Sequence, residues 1–245
     1  MPGALRRTAL RCCNKRPNEH PDAFSKLANP TVKEEVMDDA LSACVLLRVT
    51  PGIDPKRIFV LGHSLGGTVA PRIAAADPSI AGLVLLGATQ FMLLDLIVPQ
   101  AIHNFTLNGP MTGAQQKVVE QLRQQVARAK DPALTAAAPR SEMPLGAPAS
   151  YWLSLRDYHP APVAATLRLP MLVLQAERDY QVTMEDFDGW KKALAGRKNV
   201  TFRSYPKLNH MFLEGEGVSS DEEYLKPGHV PRVVVEDMAS WVKEH

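Results

Sequence analysis

The sequence predicts a doubly wound, mostly parallel α/β sheet with a helical cap insertion, and three observations carry that prediction. Short apolar runs at Ile58–Leu61, Ala81–Gly87, Met171–Gln175 and Val200–Tyr205 are interleaved with helix-like stretches. The runs at 81–87 and 171–175 are continuous, as in parallel strands covered on both faces. The hexapeptide Gly62-His63-Ser64-Leu65-Gly66-Gly67 lies between the first run and a helix, so strand passes to helix through a very tight turn with a serine at its apex.

A chain of 245 residues is long enough for a sizeable core, and 45% hydrophobic with 22% charged residues is ordinary for a soluble enzyme. A formal net charge of +2, widely dispersed, gives no reason to expect a nucleic-acid partner. No apolar run approaches the ~18 residues that span a bilayer; the best candidate, Phe91 to Val98, is broken by Asp95. Arg6, Arg7 and Arg11 are not followed by an apolar stretch of signal-peptide type, and Cys12, Cys13 and Cys44 make no disulfide framework. A cytoplasmic protein with no metal or cofactor is expected.

Taken in order, Ala9–Cys12 reads as a short strand and Pro17–Pro30 as loop. Thr31 with Glu34 forms a capping box, and Val32, Val36, Ala40, Cys44 and Leu47 make the buried stripe of the helix it opens. Pro51-Gly52 ends that helix, and a strand at 57–61 feeds the serine turn. The next helix runs from Leu65 to Ala76 and carries Pro71, which should kink it. After the strand at 81–87 the α/β alternation stops. Residues 88–167 are therefore assigned to a cap, and 1–87 with 168–245 to the core. The cap holds many prolines, an amphipathic stretch at 115–130 with Val118, Val119, Leu122 and Val126 on one side, and the aromatics Tyr151, Trp152 and Tyr158. These features predict a mobile lid. Regular order resumes with the strand at 171–175, a helix marked by Phe187, Trp190 and Leu194 that stops at Gly196, and the strand at 200–205. Pro231 opens the last helix, with Val235, Met238 and Val242 inward.

The chemistry concentrates where such sheets place it, at the carboxyl ends of the strands. Gly62 and Gly66 flank Ser64 where a Cβ would clash, and Ser64 itself is expected at positive φ. Glu177-Arg178-Asp179 follows the third run, and Asn209-His210 follows the fourth. Serine, acid and histidine in that order fit nucleophile, orienting acid and general base. His210 takes the base role by its position. His63 adjoins the serine, but a residue beside the apex of this turn points away from it. Asp179 is placed further into its loop than Glu177, which stays the alternative acid. Asp186 and Asp188 read as solvated first-turn charges, and His103, His159 and His229 as surface groups. Tyr151 and Trp152 either line an acyl or alcohol pocket or pack the insertion onto the sheet.

From Thr31 onward the chain resembles bacterial EstD-type carboxylesterases, a group of α/β-hydrolases related to dienelactone hydrolases. The resemblance rests on Gly62–Gly67, Ala70-Pro71-Arg72, Tyr151-Trp152, Gln175–Val182 and Leu208-Asn209-His210. It implies a serine hydrolase of short- to medium-chain acyl esters, with Ser64, Asp179 and His210 as catalytic residues. His63, Tyr151, Trp152 and Tyr180 would bind substrate, and the Leu65 amide would be an oxyanion donor. An acyl-CoA thioesterase or an amidase would use the same residues, and a hydrolase-like binding scaffold is the reading of a different class. Such proteins carry three further strands ahead of the region matched here, and nothing before Ser64 resembles the loop that supplies their second oxyanion donor. The strand at 57–61 is therefore expected to have one edge open, covered either by a second copy in a homodimer or by the segment Leu5 to Cys12.

Overall fold

The computed structural model describes residues 14–245, so the expected strand at Ala9–Cys12 and the placement of Leu5–Cys12 lie outside the described residues. Pro17–Pro30 is not simply loop. It forms two short helices, α1 (Arg16–Glu19) and α2 (Pro21–Ser25). Each carries its proline in the first turn, where a missing N–H costs nothing. Glu34 reaches back to the Thr31 amide at 2.9 Å, but Thr31 Oγ1 accepts from Lys33 N at 3.1 Å, so only half of the capping box is made. The chain then opens with a wide π-helical turn at Lys33–Met37 before α3 (Asp38–Val49). Val32, Met37 and Cys44 are buried from this segment.

Four strands follow, β1 (Phe59–His63), β2 (Gly82–Leu86), β3 (Met171–Ala176) and β4 (Val200–Tyr205), all parallel and in the order β1-β2-β3-β4. The continuous apolar runs have the predicted cause. Leu83, Leu85, Met171 and Val173 face one layer, built from α3, α4 (Leu65–Ala76), α8 (Pro160–Thr166) and α9 (Met184–Ala193). Val84, Leu86, Leu172 and Leu174 face the other, built on Val234 and Trp241 of α10 (Arg232–Glu244) and on Phe212. Pro71 is buried within α4, which continues past it to Ala76. In α10 the inward residue is Val234 rather than Val235, which is 49% exposed; Met238 and Val242 pack as expected. The stripe there is set by Trp241, whose ring meets Phe59 edge-on at 5.8 Å.

Residues 88–167 carry α5 (Leu93–Thr106), α6 (Gly113–Lys130), α7 (Ala149–Leu155) and α8. A separate cluster of Leu94, Ile97, Ala129, Leu134, Met143, Ala149 and Trp152 holds α5, α6 and the first part of α7 together. Of the two adjacent valines on α6, Val119 is buried and Val118 is 44% exposed. Ala161 and Ala164 of α8 belong to the sheet's own core. On β1, Leu61 is 48% exposed, and among the described residues β2 is the one strand paired with it. No helix of the described residues is long and apolar enough to cross a membrane.

Candidate active site

Ser64 stands between β1 and α4 with φ 55° and ψ −122°, a strained conformation costing about 1–3 kcal/mol. Its amide donates to Leu86 O of β2 at 2.9 Å, and its carbonyl accepts from Thr68 N at 2.9 Å, so sheet ladder and helix both hold it. Leu65 opens α4, and its N–H is one of the first-turn amides with no intrahelical acceptor. The glycine requirement differs from the motif-level expectation. A Cβ on Gly62 would stand 2.3 Å from the Gly66 carbonyl, and one on Gly67 would meet Ala88 Cβ and Gly62 O at 2.8 Å. A Cβ on Gly66 meets nothing within 4 Å. The close approach is therefore between Gly62 and the peptide joining Gly66 to Gly67, and a side chain at 66 would point away from β1.

The candidate acid and base, Asp179 and His210, lie in the loops after β3 and β4. Asp179 Oδ1 accepts from Gln181 N at 2.8 Å and Val182 N at 2.9 Å, which closes a tight turn. Gln175, buried at the end of β3, fastens the same turn through Val182 O at 2.7 Å. Oδ2 is left to face His210 Nδ1 at 2.7 Å. A carboxylate only accepts, so Nδ1 carries a proton, and in the neutral ring Nε2 is then the acceptor, the tautomer a general base needs. Glu177 turns elsewhere and accepts from Ser204 Oγ at 2.7 Å. Both members of the Asp179–His210 pair are buried. Gly87, at φ +50°, passes directly beneath it; a Cβ there would lie 3.3 Å from Asp179 Oδ2 and 3.5 Å from His210 Nδ1.

The loop bearing His210 is built around Asn209, whose Oδ1 accepts from Met211 N and Leu213 N at 3.0 and 3.1 Å. Asn209 Nδ2 donates to Glu223, which also pairs with Arg178 at 2.5 Å. Burial opposes the Glu223 carboxylate, but the bonds from Arg178 and Asn209 prevail and hold its pKa below the ordinary value. Arg178 further donates to the carbonyls of Glu216 and Gly217, so the acid loop and the segment after the histidine are tied together. Sequence reasoning misses this arginine because its partners lie 38 to 45 residues away.

The structure brings Asp179 and His210 together and sets Ser64 one residue from His63, whose ring lies 4.8 Å from that of His210. Ser64 Oγ makes no hydrogen bond among the described residues. Trp152 is 1% exposed and packs with Leu94, Ile97 and Met143 inside the insertion. Tyr151 lies edge-on to it at 5.3 Å, and burial with the adjacent Glu35 pushes its phenol well above the ordinary range. Tyr180 donates to Asp221, accepts from Asn104 Nδ2 at 3.3 Å and stacks on His103 at 4.1 Å. His103 is therefore not a plain surface group: its Nε2 also donates to Ser219 O at 2.9 Å.

Asp186 is a correction of another kind. It is 1% exposed, not solvated, and its carboxylate accepts from Thr89 Oγ1 at 2.6 Å, Gln90 N at 3.1 Å and Thr183 N at 3.2 Å. It joins the loop after β2 to the start of α9, beside a bond from Trp190 Nε1 to Ala88 O at 2.7 Å. Thr183 and Asp186 form a capping box, a signal present in the sequence; the link to Thr89 is tertiary and is not. Among the described residues no group of three or more His, Cys, Asp or Glu side chains is arranged to hold a metal ion.

A positive-φ serine on a strand–helix turn, with an Asp–His pair carried by the loops after β3 and β4, defines a doubly wound α/β protein with the geometry of a nucleophile elbow. The chain belongs to the Alpha/beta hydrolase family, whose sequence profile matches residues 9–225. It is 35% identical over 228 residues to Esterase EstD of Thermotoga maritima, a match covering 91% of this chain and 52% of that protein. The chain thus spans about half the length of that curated relative. Among solved structures, Est1E from Butyrivibrio proteoclasticus superposes with TM-score 0.52 at 16% identity, over 88% of this chain and 72% of that one. An acetyl xylan esterase from Paenibacillus sp. R4 gives TM-score 0.52 at 16% identity, over 87% and 53%. These two likenesses show the fold.

Proposed function

We propose that the chain is a serine carboxylesterase acting on short- to medium-chain acyl esters through an acyl-enzyme on Ser64. The observation that carries this reading is the strained serine at the β1–α4 turn beside a buried Asp179–His210 pair whose Nδ1–H is already committed to the carboxylate. The similarity to Esterase EstD supports the choice of ester as substrate. His210 Nε2 takes the hydroxyl proton as Ser64 Oγ attacks the acyl carbon. The carbonyl electrons move onto oxygen, where the Leu65 amide at the start of α4 stabilises the charge. Collapse of the intermediate expels the alcohol, which receives the proton from His210. Water then repeats the sequence on the acyl-enzyme, releasing the acid and freeing Ser64. Asp179 keeps the imidazole oriented and stabilises the imidazolium.

The test is hydrolysis of p-nitrophenyl acetate and butyrate with Ser64→Ala as control. Turnover by the wild type and its loss in the variant are expected, and comparable turnover by both would sink the proposal. A parallel set of thioester and anilide substrates separates an esterase from a thioesterase or an amidase, since the triad does not choose the leaving group. Labelling by a fluorophosphonate separates all of these from a binding scaffold.

A further inference from the structure

We propose that His63 is a positioning residue that holds the base His210 in place from the strand carrying the nucleophile; this rests on Ser64 and His210 being the reacting pair. His63 is the last residue of β1, opposite Leu86 of β2, and immediately precedes Ser64. Its Nε2 lies 2.7 Å from the carbonyl oxygen of His210, 147 residues later in the chain. A carbonyl only accepts, so Nε2 carries the hydrogen and donates it. The two imidazole rings also lie against each other, 4.8 Å apart at 44°, and the His63 ring meets Phe212 edge-on at 6.2 Å.

This contact occupies a point that the rest of the loop leaves open. Asn209 fastens the amides of residues 211 and 213, and Phe212 N returns to Asn209 O at 2.8 Å. Leu208 O accepts from Arg178 N at 3.0 Å. These bonds fix the loop on either side of His210. Asp179 fixes its ring through Nδ1. The backbone of residue 210 itself is tied by His63, and a buried carbonyl of this kind requires a donor. The tie comes from the residue next to Ser64, at the end of β1, so any movement of that strand end carries nucleophile and base together. Burial, and then the neighbouring His210, lower the pKa of His63 and keep its ring neutral. A neutral ring supplies the hydrogen bond without placing a second positive charge beside the imidazolium that forms on His210 during turnover. His63 is thus occupied in holding the base, whereas sequence reasoning puts it among substrate-binding groups.

The experiment compares His63→Leu, His63→Gln and His63→Asn with the wild type on p-nitrophenyl acetate, with thermal melting of each. The glutamine amide nitrogen reaches about where Nε2 stands; the asparagine one falls a bond short. A misplacement near 1 Å is worth about 10²-fold in rate. His63→Leu is therefore expected to lose between ~10-fold and ~100-fold in kcat with KM changed less than about twofold, and His63→Gln to recover most of it. His63→Asn, polar and close in size, should stay impaired while folded, which keeps the test decisive if His63→Leu does not fold. Wild-type kcat in His63→Leu or His63→Asn, or equal impairment of His63→Gln and His63→Asn, would overturn the assignment. A rise in KM at constant kcat would also overturn it, in favour of direct substrate contact. Ser64→Ala run alongside separates the two levels: if it retains full activity, the underlying reaction is wrong, whatever the His63 variants do.

Discussion

The two glycines that bracket Ser64 look equivalent in the sequence and are not equivalent in space. A methyl at position 62 would sit 2.3 Å from the carbonyl carbon and oxygen of Gly66 and 2.5 Å from Gly67 N. These are backbone atoms, with no rotamer to absorb the contact. Restoring an ordinary separation requires the first turn of α4 to withdraw by about 1 Å, an overpacking cost of ~1–3 kcal/mol. Because Ser64 and the Leu65 amide ride on that turn, the same shift is expected to lower the rate by about 10²-fold. At position 66 a methyl meets nothing within 4 Å, and in a helical turn alanine is favoured over glycine by up to ~1 kcal/mol.

The assay is kcat on p-nitrophenyl acetate together with thermal melting for Gly62→Ala and Gly66→Ala. For a domain of this size each kcal/mol moves the melting temperature by about 2–4 °C. Gly62→Ala is expected to lose roughly 100-fold in kcat and several degrees of melting temperature. Gly66→Ala should keep kcat within a few-fold and melt at or slightly above the wild-type temperature. Equal damage from both would show that the close approach is not between 62 and 67; a fully active, fully stable Gly62→Ala would refute the steric reasoning outright.

Three further outcomes are expected. Asp179→Asn keeps the shape of the acid loop but loses the acceptor that orients His210, so kcat should fall on the order of 10⁴-fold, while Glu177→Gln stays within a few-fold; the reverse pattern would reassign the acid. Burial raises the pKa of Asp186, even though Thr89, Gln90 and Thr183 donate to it. Its contribution to stability is therefore full below the ordinary aspartate value and is lost as pH rises through the raised one. Asp186→Asn should remove that fall in urea unfolding measured stepwise from about pH 4 to 7, and an unchanged slope would count against it. Among the described residues one edge of β1 is unpaired and Leu61 is exposed, a surface prone to strand addition, and the exposed Val45, Leu46 and Val49 of α3 add apolar surface for a second copy to cover. Light scattering at working concentration is expected to give a dimer whose activity falls on dilution, and a fully active monomer would show that the edge needs no second copy.

What is legible in the sequence follows from how local its cause is. β2 and β3 are readable because strands covered on both faces show continuous apolar runs, and the helices that cover Leu83 and Val84 lie on opposite sides. The serine turn is readable because a strand must reverse into a helix within a few residues. Gly66 misleads because the letter pattern is symmetric about Ser64, whereas a helix turns successive residues by about 100° and presents residue 67 to β1. The phase of α10 slips by one residue because three valines in a row, 233 to 235, fit either face, and the choice falls to the contact between Trp241 and Phe59. Asp186 carries a readable capping signal, yet its burial depends on Thr89, 97 residues distant. Neighbouring residues carry no trace of such a pairing.

Two non-glycine residues near the site hold positive φ, Ser64 and Phe212, both at 55°. Each conformation costs about 1–3 kcal/mol and persists where its surroundings over-determine it. For Phe212 the surroundings are clear: it is 1% exposed and packed beside Tyr205, Val84, Leu86 and Leu174. For Ser64 they are the bond to Leu86 O and the close passage of Gly62 and Gly67. Leu86 belongs to both sets, and the ring of His63, the residue before Ser64, meets Phe212 edge-on at 6.2 Å and donates to the His210 carbonyl. On the proposed mechanism, relaxing either strained residue is expected to shift Ser64 relative to His210 and so to lower the rate.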